Sequence, residues 1–280
     1  MTLVPSVGMD IAAVTDLVHE VAVEVVLPRW RTLRSDEVVE KAPGELVSVV
    51  DRDAEVILTR QLQGLLPASV VVGEEATAAN PALLAAIGSE PVVWLVDPID
   101  GTANFVDGSS DFAVMVALVR HGVTVAAWID RPADRCAYVA ERGSGAFVAG
   151  RRLLCTPPPR FEELRGAALT RLLDEGQRQA VRCLGQQIAL LGPGRVCAGV
   201  DYPLIAEGAQ DFVLFMRSLP WDHAPGALIL NEAGGYVGHL DGAPYLPGNP
   251  RLGLLASAGR ATHADVSRAL LGCGYSVTTG

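Results

Sequence analysis

The chain has 280 residues, half of them hydrophobic, and carries a formal charge of −10 from 22 basic and 32 acidic side chains. That length suits one large domain or two modest ones around a sizeable core, and the acidic balance argues against nonspecific binding to nucleic acid or an anionic membrane, which depends on neutralising phosphates with Lys and Arg. The five cysteines, Cys136, Cys155, Cys183, Cys197 and Cys273, show no CxxC or Cys/His spacing, so neither a disulfide framework nor a zinc site is expected and a reducing, cytoplasmic setting is the natural reading.

From Asp10 to Trp30 the apolar positions Ile11, Val14, Val18, Val21, Val25 and Val26 recur every three or four residues, predicting an amphipathic helix that ends near Pro28. Acidic residues and His19 interrupt this stretch, so it reads as neither a signal peptide nor a membrane span. A second helix is predicted from Asp51 to Leu66, stopped by Pro67. Val70–Val72 then reads as a buried strand that delivers Glu74 and Glu75 at its end. Another strand, Val92–Val96, leads into Asp97-Pro98-Ile99-Asp100-Gly101-Thr102, where Pro98 and Gly101 predict a turn before a new helix. Phe112–Arg120, Val123–Asp130 and Ala137–Glu141 read as successive strands of an antiparallel sheet.

The segment from Gly150 to Pro159 ends in three consecutive prolines and predicts a crossing between an α+β half, residues 1–150, and an α/β half, residues 151–280. In the second half, helices are predicted over Arg171–Leu190, Pro203–Ala209, Ala227–Glu232 and His263–Leu271, with strands over Phe212–Phe215 and Leu252–Ala258. Only the last few residues read as polar enough for disorder.

The chemistry concentrates in three segments. Asp97 and Asp100 lie three residues apart across a proline at the end of an apolar strand, so both carboxylates and the Ile99 carbonyl can converge on one point, as a hard divalent cation requires. The Gly101, Thr102 and Ala103 amides that follow open a helix, where unpaired N–H groups favour an anion such as phosphate. Taken alone, the stretch reads equally well as an Asp-Pro turn with Asp100 capping a helix. Gly73-Glu74-Glu75 alone reads as an acidic surface turn, and Trp221-Asp222 as a plain helix cap.

Taken together, Gly73-Glu74-Glu75, Asp97-Pro98-Ile99-Asp100-Gly101-Thr102 and Trp221-Asp222 with Glu232-Ala233-Gly234-Gly235 resemble the three motifs of the inositol monophosphatase superfamily, the magnesium-dependent, lithium-sensitive phosphomonoesterases. The resemblance runs over nearly the whole chain, and its second motif is the specific one. It implies a layered αβαβα sugar-phosphatase fold with the active site between the two halves, a small phosphorylated metabolite as substrate, and a homodimer. It further implies two to three Mg²⁺ per site: one on Glu74, Asp97 and the Ile99 carbonyl, a second on Asp97, Asp100 and Asp222, and a weaker third near Glu74. The Gly101 and Thr102 amides, with Ala103, would hold phosphate, and Thr102 paired with Asp51 would position the attacking water. Electrostatics agree: two carboxylates about 4 Å apart repel by about 4 kcal/mol at an effective dielectric near 20, so four around one pocket need cations between them.

The substrate end is less regular. Phe215 stands where inositol phosphatases carry an acidic residue that contacts hydroxyls, and Val196-Cys197-Ala198 aligns with a substrate-contacting turn. Arg217 and Asp222 complete the candidate substrate contacts, although Arg217 reads better as a solvated surface residue. His223 reads as structural. Lys41, the sole lysine, sits in a loop, Glu40–Gly44, that in relatives approaches the metal site. The leading expectation is a phosphatase for an inositol, sugar or polyol phosphate. The alternatives are a 3′(2′),5′-bisphosphate nucleotidase, a histidinol-phosphate phosphatase, and a catalytically silent metal-binding relative.

Overall fold

Asp10 opens the first helix, its carboxylate accepting the Ala12 and Ala13 amides at 2.9 and 3.2 Å and so satisfying two donors that have no partner inside the helix. In this computed structural model, which describes residues 9–43, 45–156, 160–249 and 251–276, an α-helix over Ile11–Val21 passes through a π turn, Ala22–Val26, and a 3-10 turn, Leu27–Arg29. The helix Val49–Leu65 is capped by Ser48, whose hydroxyl accepts the Val50 and Asp51 amides while Asp51 accepts the Ser48 amide in return.

These two helices cover one face of a seven-stranded sheet. Val70–Gly73 runs parallel to Val92–Asp100, and from there each strand is antiparallel to the last: Ala113–Arg120, Val123–Arg131, Cys136–Glu141, Gly145–Val148 and the short Arg151–Arg152. Val14, Val18, Leu58 and Leu62 pack there on Trp94, Val116 and Trp128, all buried. The opposite face carries the helices Ala198–Ala206 and Pro220–Glu232, which also pack against a second sheet. In that five-stranded sheet Phe212–Phe215 pairs with Arg165–Ala168 in parallel and with Leu254–Ser257 antiparallel; Leu190–Pro193 and Tyr236–His239 form the edges. Its outer face is covered by Glu175–Gly185 and Arg260–Gly272. The layers are helix, sheet, helix, sheet, helix, as the motifs imply. No helix among the described residues is long and apolar enough to cross a membrane.

Several expectations need correction. The strand predicted over Val92–Val96 continues through Asp100, with a bulge between Asp97 and Asp100 opposite Met115 and Ala113; Pro98, which has no N–H for a ladder bond, sits in that bulge. The helix predicted over Arg171–Leu190 is confined to Glu175–Gly185, because Asp174 caps it by accepting the Gln177 amide at 2.8 Å, and Leu190 belongs to an edge strand. The helix predicted at Pro203–Ala209 is Ala198–Ala206; wedged between two sheets and apolar nearly all round, it shows no amphipathic period to mark its start. Residues 40–42 are not loop: Val38–Ala42 pairs with Glu45–Ser48 as a hairpin. The strand predicted over Leu252–Ala258 is shorter, Leu254–Ser257.

The cysteine reading is corrected too: Cys183, on the Glu175–Gly185 helix, is bonded to Cys273 at the end of the last helix, 90 residues away. A separation that long leaves no local spacing to read. Cys136, Cys155 and Cys197 are free thiols. The three prolines, 157–159, the last member of the Glu40–Gly44 segment, and the final four residues, 277–280, lie outside the described residues.

Candidate active site

Strand register brings the first two motifs together. Gly73 lies opposite Val96 on parallel neighbours, so Glu74, just past the end of its strand, and Asp97, at the edge of the bulge in the next, lie side by side. Asp222 reaches the same point from the first turn of the Pro220–Glu232 helix, which packs on this sheet through Trp221 and Ala224 against Val72 and Leu95. One carboxylate oxygen each from Glu74, Asp97 and Asp222 lies within 4.8 Å of the others.

Asp100 stands beside this group and is oriented by the second half of the chain: its Oδ2 accepts the Gly199 amide at 2.5 Å and the Cys197 thiol at 3.0 Å. Cys197 is thus an internal strut between the bulge and the Ala198–Ala206 helix, and burial, followed by the charge of Asp100, pushes its thiol well up. Gly101 follows at φ 81°, and a Cβ there would meet the Asp111 carbonyl oxygen at 2.8 Å and Cys197 Cβ at 3.1 Å. Only glycine fits this left-handed position.

Thr102 begins the short helix after the bulge. Its hydroxyl has two acceptors in reach, Asp51 Oδ1 at 3.0 Å and the Ile99 carbonyl at 2.9 Å. The other oxygen of Asp51 accepts the Ser48 amide at 2.8 Å and hydroxyl at 2.5 Å. Asp51 therefore caps its own helix and faces the site at once.

The electrostatics are those of a crowded, acidic pocket. Burial, and then the charges of Glu74, Asp100 and Asp222, hold Asp97 well above the usual carboxylate range. Asp222 is raised in the same way, by burial and then by Asp100 and Glu74, and burial raises Glu74 against the opposing pull of Lys41. Burial pushes Asp51 and Asp100 up to about 6. Lys41 answers part of the excess: its ammonium donates to Glu74 at 2.5 Å and Glu75 at 2.6 Å. Burial alone would lower its pKa, but the two carboxylates outweigh it and raise the value.

Sequence reasoning missed Glu55. Its carboxylate accepts the Glu75 and Ala76 amides at 2.8 and 2.7 Å, pinning the turn that presents Glu74. The available signal was its place four residues after Asp51 on the same helix face. Gly73 makes room for it, since a Cβ at Gly73 would fall 2.4 Å from Glu55 Cδ. Gly73→Ala should therefore displace Glu55 and destabilise the fold by about 1–3 kcal/mol, lowering Tm in a thermal melt by roughly 2–4 °C per kcal/mol.

The remaining predicted residues divide. Val196, Cys197, Ala198, Phe215, Arg217 and Asp222 all line one cavity beside the carboxylates. The Arg217 guanidinium is paired with Glu45 of the hairpin and remains partly exposed at the rim of that cavity. His223 is buried, shares a 3.0 Å hydrogen bond with the Tyr202 hydroxyl, and is held neutral by burial with a pKa lowered to about 3.

A sequence profile of the inositol monophosphatase family matches residues 10–272. The inositol-1-monophosphatase of Mycobacterium bovis is 36% identical over 211 residues, covering 71% of this chain and 70% of that protein. The fructose-1,6-bisphosphatase/inositol-1-monophosphatase of Thermotoga maritima is 31% identical over 209 residues, covering 73% and 76%. Among solved structures, the IMPase of Thermotoga maritima superposes with a TM-score of 0.79 at 24% identity, covering 94% of this chain and 97% of its own. Layered fold, carboxylate cluster and relatives together define a phosphoric monoester hydrolase. The chain belongs to the inositol monophosphatase family.

Proposed function

We propose that the chain is a Mg²⁺-dependent phosphomonoesterase that hydrolyses a small phosphorylated metabolite by direct attack of water. The observation that carries this reading is the convergence of Glu74, Asp97 and Asp222 to within 4.8 Å, with Asp100 beside them. The donor set is all oxygen, which suits a hard cation, and raised pKa values are what crowded, uncompensated carboxylates show. Glu74, Asp97 and the Ile99 carbonyl would hold one Mg²⁺, and Asp97, Asp100 and Asp222 a second. A third near Glu74 would have to share that carboxylate with Lys41. Bound Mg²⁺ supplies Lewis acidity, acidifying a water and screening the phosphate oxygens.

The chain's own residues do the positioning. Thr102 has a single proton to give; donated to Asp51, it leaves the hydroxyl lone pairs free to accept from a water aimed at phosphorus. Asp51, with a pKa of about 6, is ionised at neutral pH yet basic enough to take up a proton through Thr102 as the water oxygen bonds to phosphorus. The ester P–O bond breaks on the opposite side, and the departing alkoxide is protonated from solvent. The Gly101, Thr102 and Ala103 amides sit at the start of the short Thr102–Val106 helix, without carbonyl partners inside it, and would receive the phosphate oxygens. Asp222 borders the cavity that takes the alcohol. The names of the relatives support a ring alcohol or sugar as that alcohol.

The test is inorganic phosphate release from a panel of inositol, sugar, nucleotide, histidinol and p-nitrophenyl phosphates, with Mg²⁺ and after chelation. Turnover at least ~100-fold faster with Mg²⁺ is expected. Equal rates with and without metal would overturn the reading.

A further inference from the structure

We infer that Asn104 and Asp201 are positioning residues that lock the substrate-facing turn, residues 193–198, against the helix that receives the phosphate, and thereby set substrate affinity. The inference rests on the phosphatase reading above and concerns how the cavity of about 320 Å³ beside Asp100 and Asp222 keeps its shape. Pro193, Gly194, Val196, Cys197 and Ala198 form one wall of that cavity. Their turn joins Leu190–Pro193, an edge strand paired on one side only, to the Ala198–Ala206 helix. Sheet hydrogen bonds therefore hold it from one side at most, and side chains must supply the rest.

The peptide groups of Arg195, in the middle of the turn, are held from both halves of the chain. The Arg195 amide donates to both oxygens of Asp201, each at 3.1 Å, and Asp201 is fully buried on the Ala198–Ala206 helix. The Arg195 carbonyl accepts Asn104 Nδ2 at 2.9 Å, and the same nitrogen donates to the Asp111 carbonyl at 2.8 Å, so both N–H groups of that primary amide are committed. Asn104 stands on the Thr102–Val106 helix, and its side chain thus ties the phosphate end of the site to the alcohol end. Val196, next along the turn, adopts φ 57°, a left-handed conformation that a β-branched residue rarely takes and that persists only where the surroundings over-determine it. Its side chain is exposed, so core packing does not impose the conformation; the clamped Arg195 peptide does. Gly194, on the other flank, leaves the turn no slack, since a Cβ there would fall 2.4 Å from Leu169 Cδ1 and 3.1 Å from Asp201 Oδ2. A binding wall fixed in this way keeps the alcohol in register with the reacting phosphate.

The experiment measures kcat and KM for myo-inositol 1-phosphate and p-nitrophenyl phosphate at saturating Mg²⁺, together with inhibition by inorganic phosphate, which occupies the phosphate end alone. N104A and D201A should each raise KM by about tenfold with kcat within about threefold of wild type, the pattern of lost binding common to ground and transition states, and should leave the inhibition constant of inorganic phosphate within about twofold. D201N, which keeps one oxygen for the Arg195 amide, should restore most of the affinity, a grading that a residue serving only the stability of the fold would not produce. Asn104 is half-buried, so N104A carries the test if removing the buried Asp201 carboxylate prevents folding. A KM in N104A equal to that of wild type, or a rise in the phosphate inhibition constant matching the rise in KM, would overturn the inference while leaving the phosphatase reading intact. Release from neither ester by the wild-type chain would overturn that reading and the inference together.

Discussion

Asp97→Asn is expected to lower kcat by at least about 10³-fold, the scale of losing a main electrostatic element of an active site, while raising the Tm of the metal-free protein. The two effects share one origin. Asp97 is buried, and the charges of Glu74, Asp100, Asp222 and Asp51 all bear on it. Asparagine keeps the shape and the oxygen that accepts the Ile99 amide at 3.1 Å but deletes the charge at the centre of the cluster. In wild type, Mg²⁺ at about 100 times its Kd should stabilise by about 2.7 kcal/mol, raising Tm by roughly 5–10 °C for a chain of this size. In the variant that rise should nearly vanish. Phosphate release and thermal melts with and without Mg²⁺ check both halves, and unchanged turnover or an undiminished Mg²⁺ effect on Tm would remove Asp97 from the metal site.

Much of this arrangement was legible because the relevant carboxylates follow directly on apolar runs. Those runs stop at Gly73-Glu74 and Asp97-Pro98, and the parallel register that sets Gly73 opposite Val96 places Glu74 beside Asp97, even though the second strand runs on through Asp100. Asp51 was reached only through the family resemblance; the Ser48 capping interactions that start its helix also fix its carboxylate. What stayed hidden depends on contacts far apart in sequence. The Cys197–Asp100 hydrogen bond spans 97 residues, the Cys183–Cys273 bridge spans 90, and Lys41 meets Glu74 and Glu75 through a hairpin whose pairing no local period announces. The Ala198–Ala206 helix escaped for another reason: burial on all sides removes the polar face by which a helix is recognised.

Above about pH 6.5, the Tm of metal-free protein should fall as pH is raised to about 8.5, and saturating Mg²⁺ should flatten that slope. The sign follows from the direction in which burial moves these groups. A carboxyl whose folded pKa lies above its unfolded value near 4 is less costly to the native state when protonated, so stability declines as pH climbs towards the folded pKa. Asp201, pushed up to about 7 by burial and then partly eased by the Arg195 amide, acts in this window; burial first, then neighbouring carboxylates, shift Asp97 and Asp222 in the same direction, and burial shifts Glu74 likewise. Asp51 and Asp100, at about 6, are largely ionised before it opens. The histidines oppose this only at lower pH. Burial lowers the pKa of His223 to about 3, and that of His239 and His263 in the same direction, so their neutral forms favour the native state progressively as pH rises to the unfolded histidine value near 6.5 and add nothing further above it. A tenfold difference in proton affinity between the folded and unfolded chain corresponds to about 1.4 kcal/mol, and the cluster members titrate together, so their contributions do not simply add; a loss of at least about 1 kcal/mol, or roughly 2–4 °C, is the expected scale. Asp97→Asn should shallow the slope by removing the most crowded member of the cluster. A metal-free Tm that holds constant or rises across this window would mean that water reaches these carboxylates freely, and the electrostatic case for bound cations would fail with it.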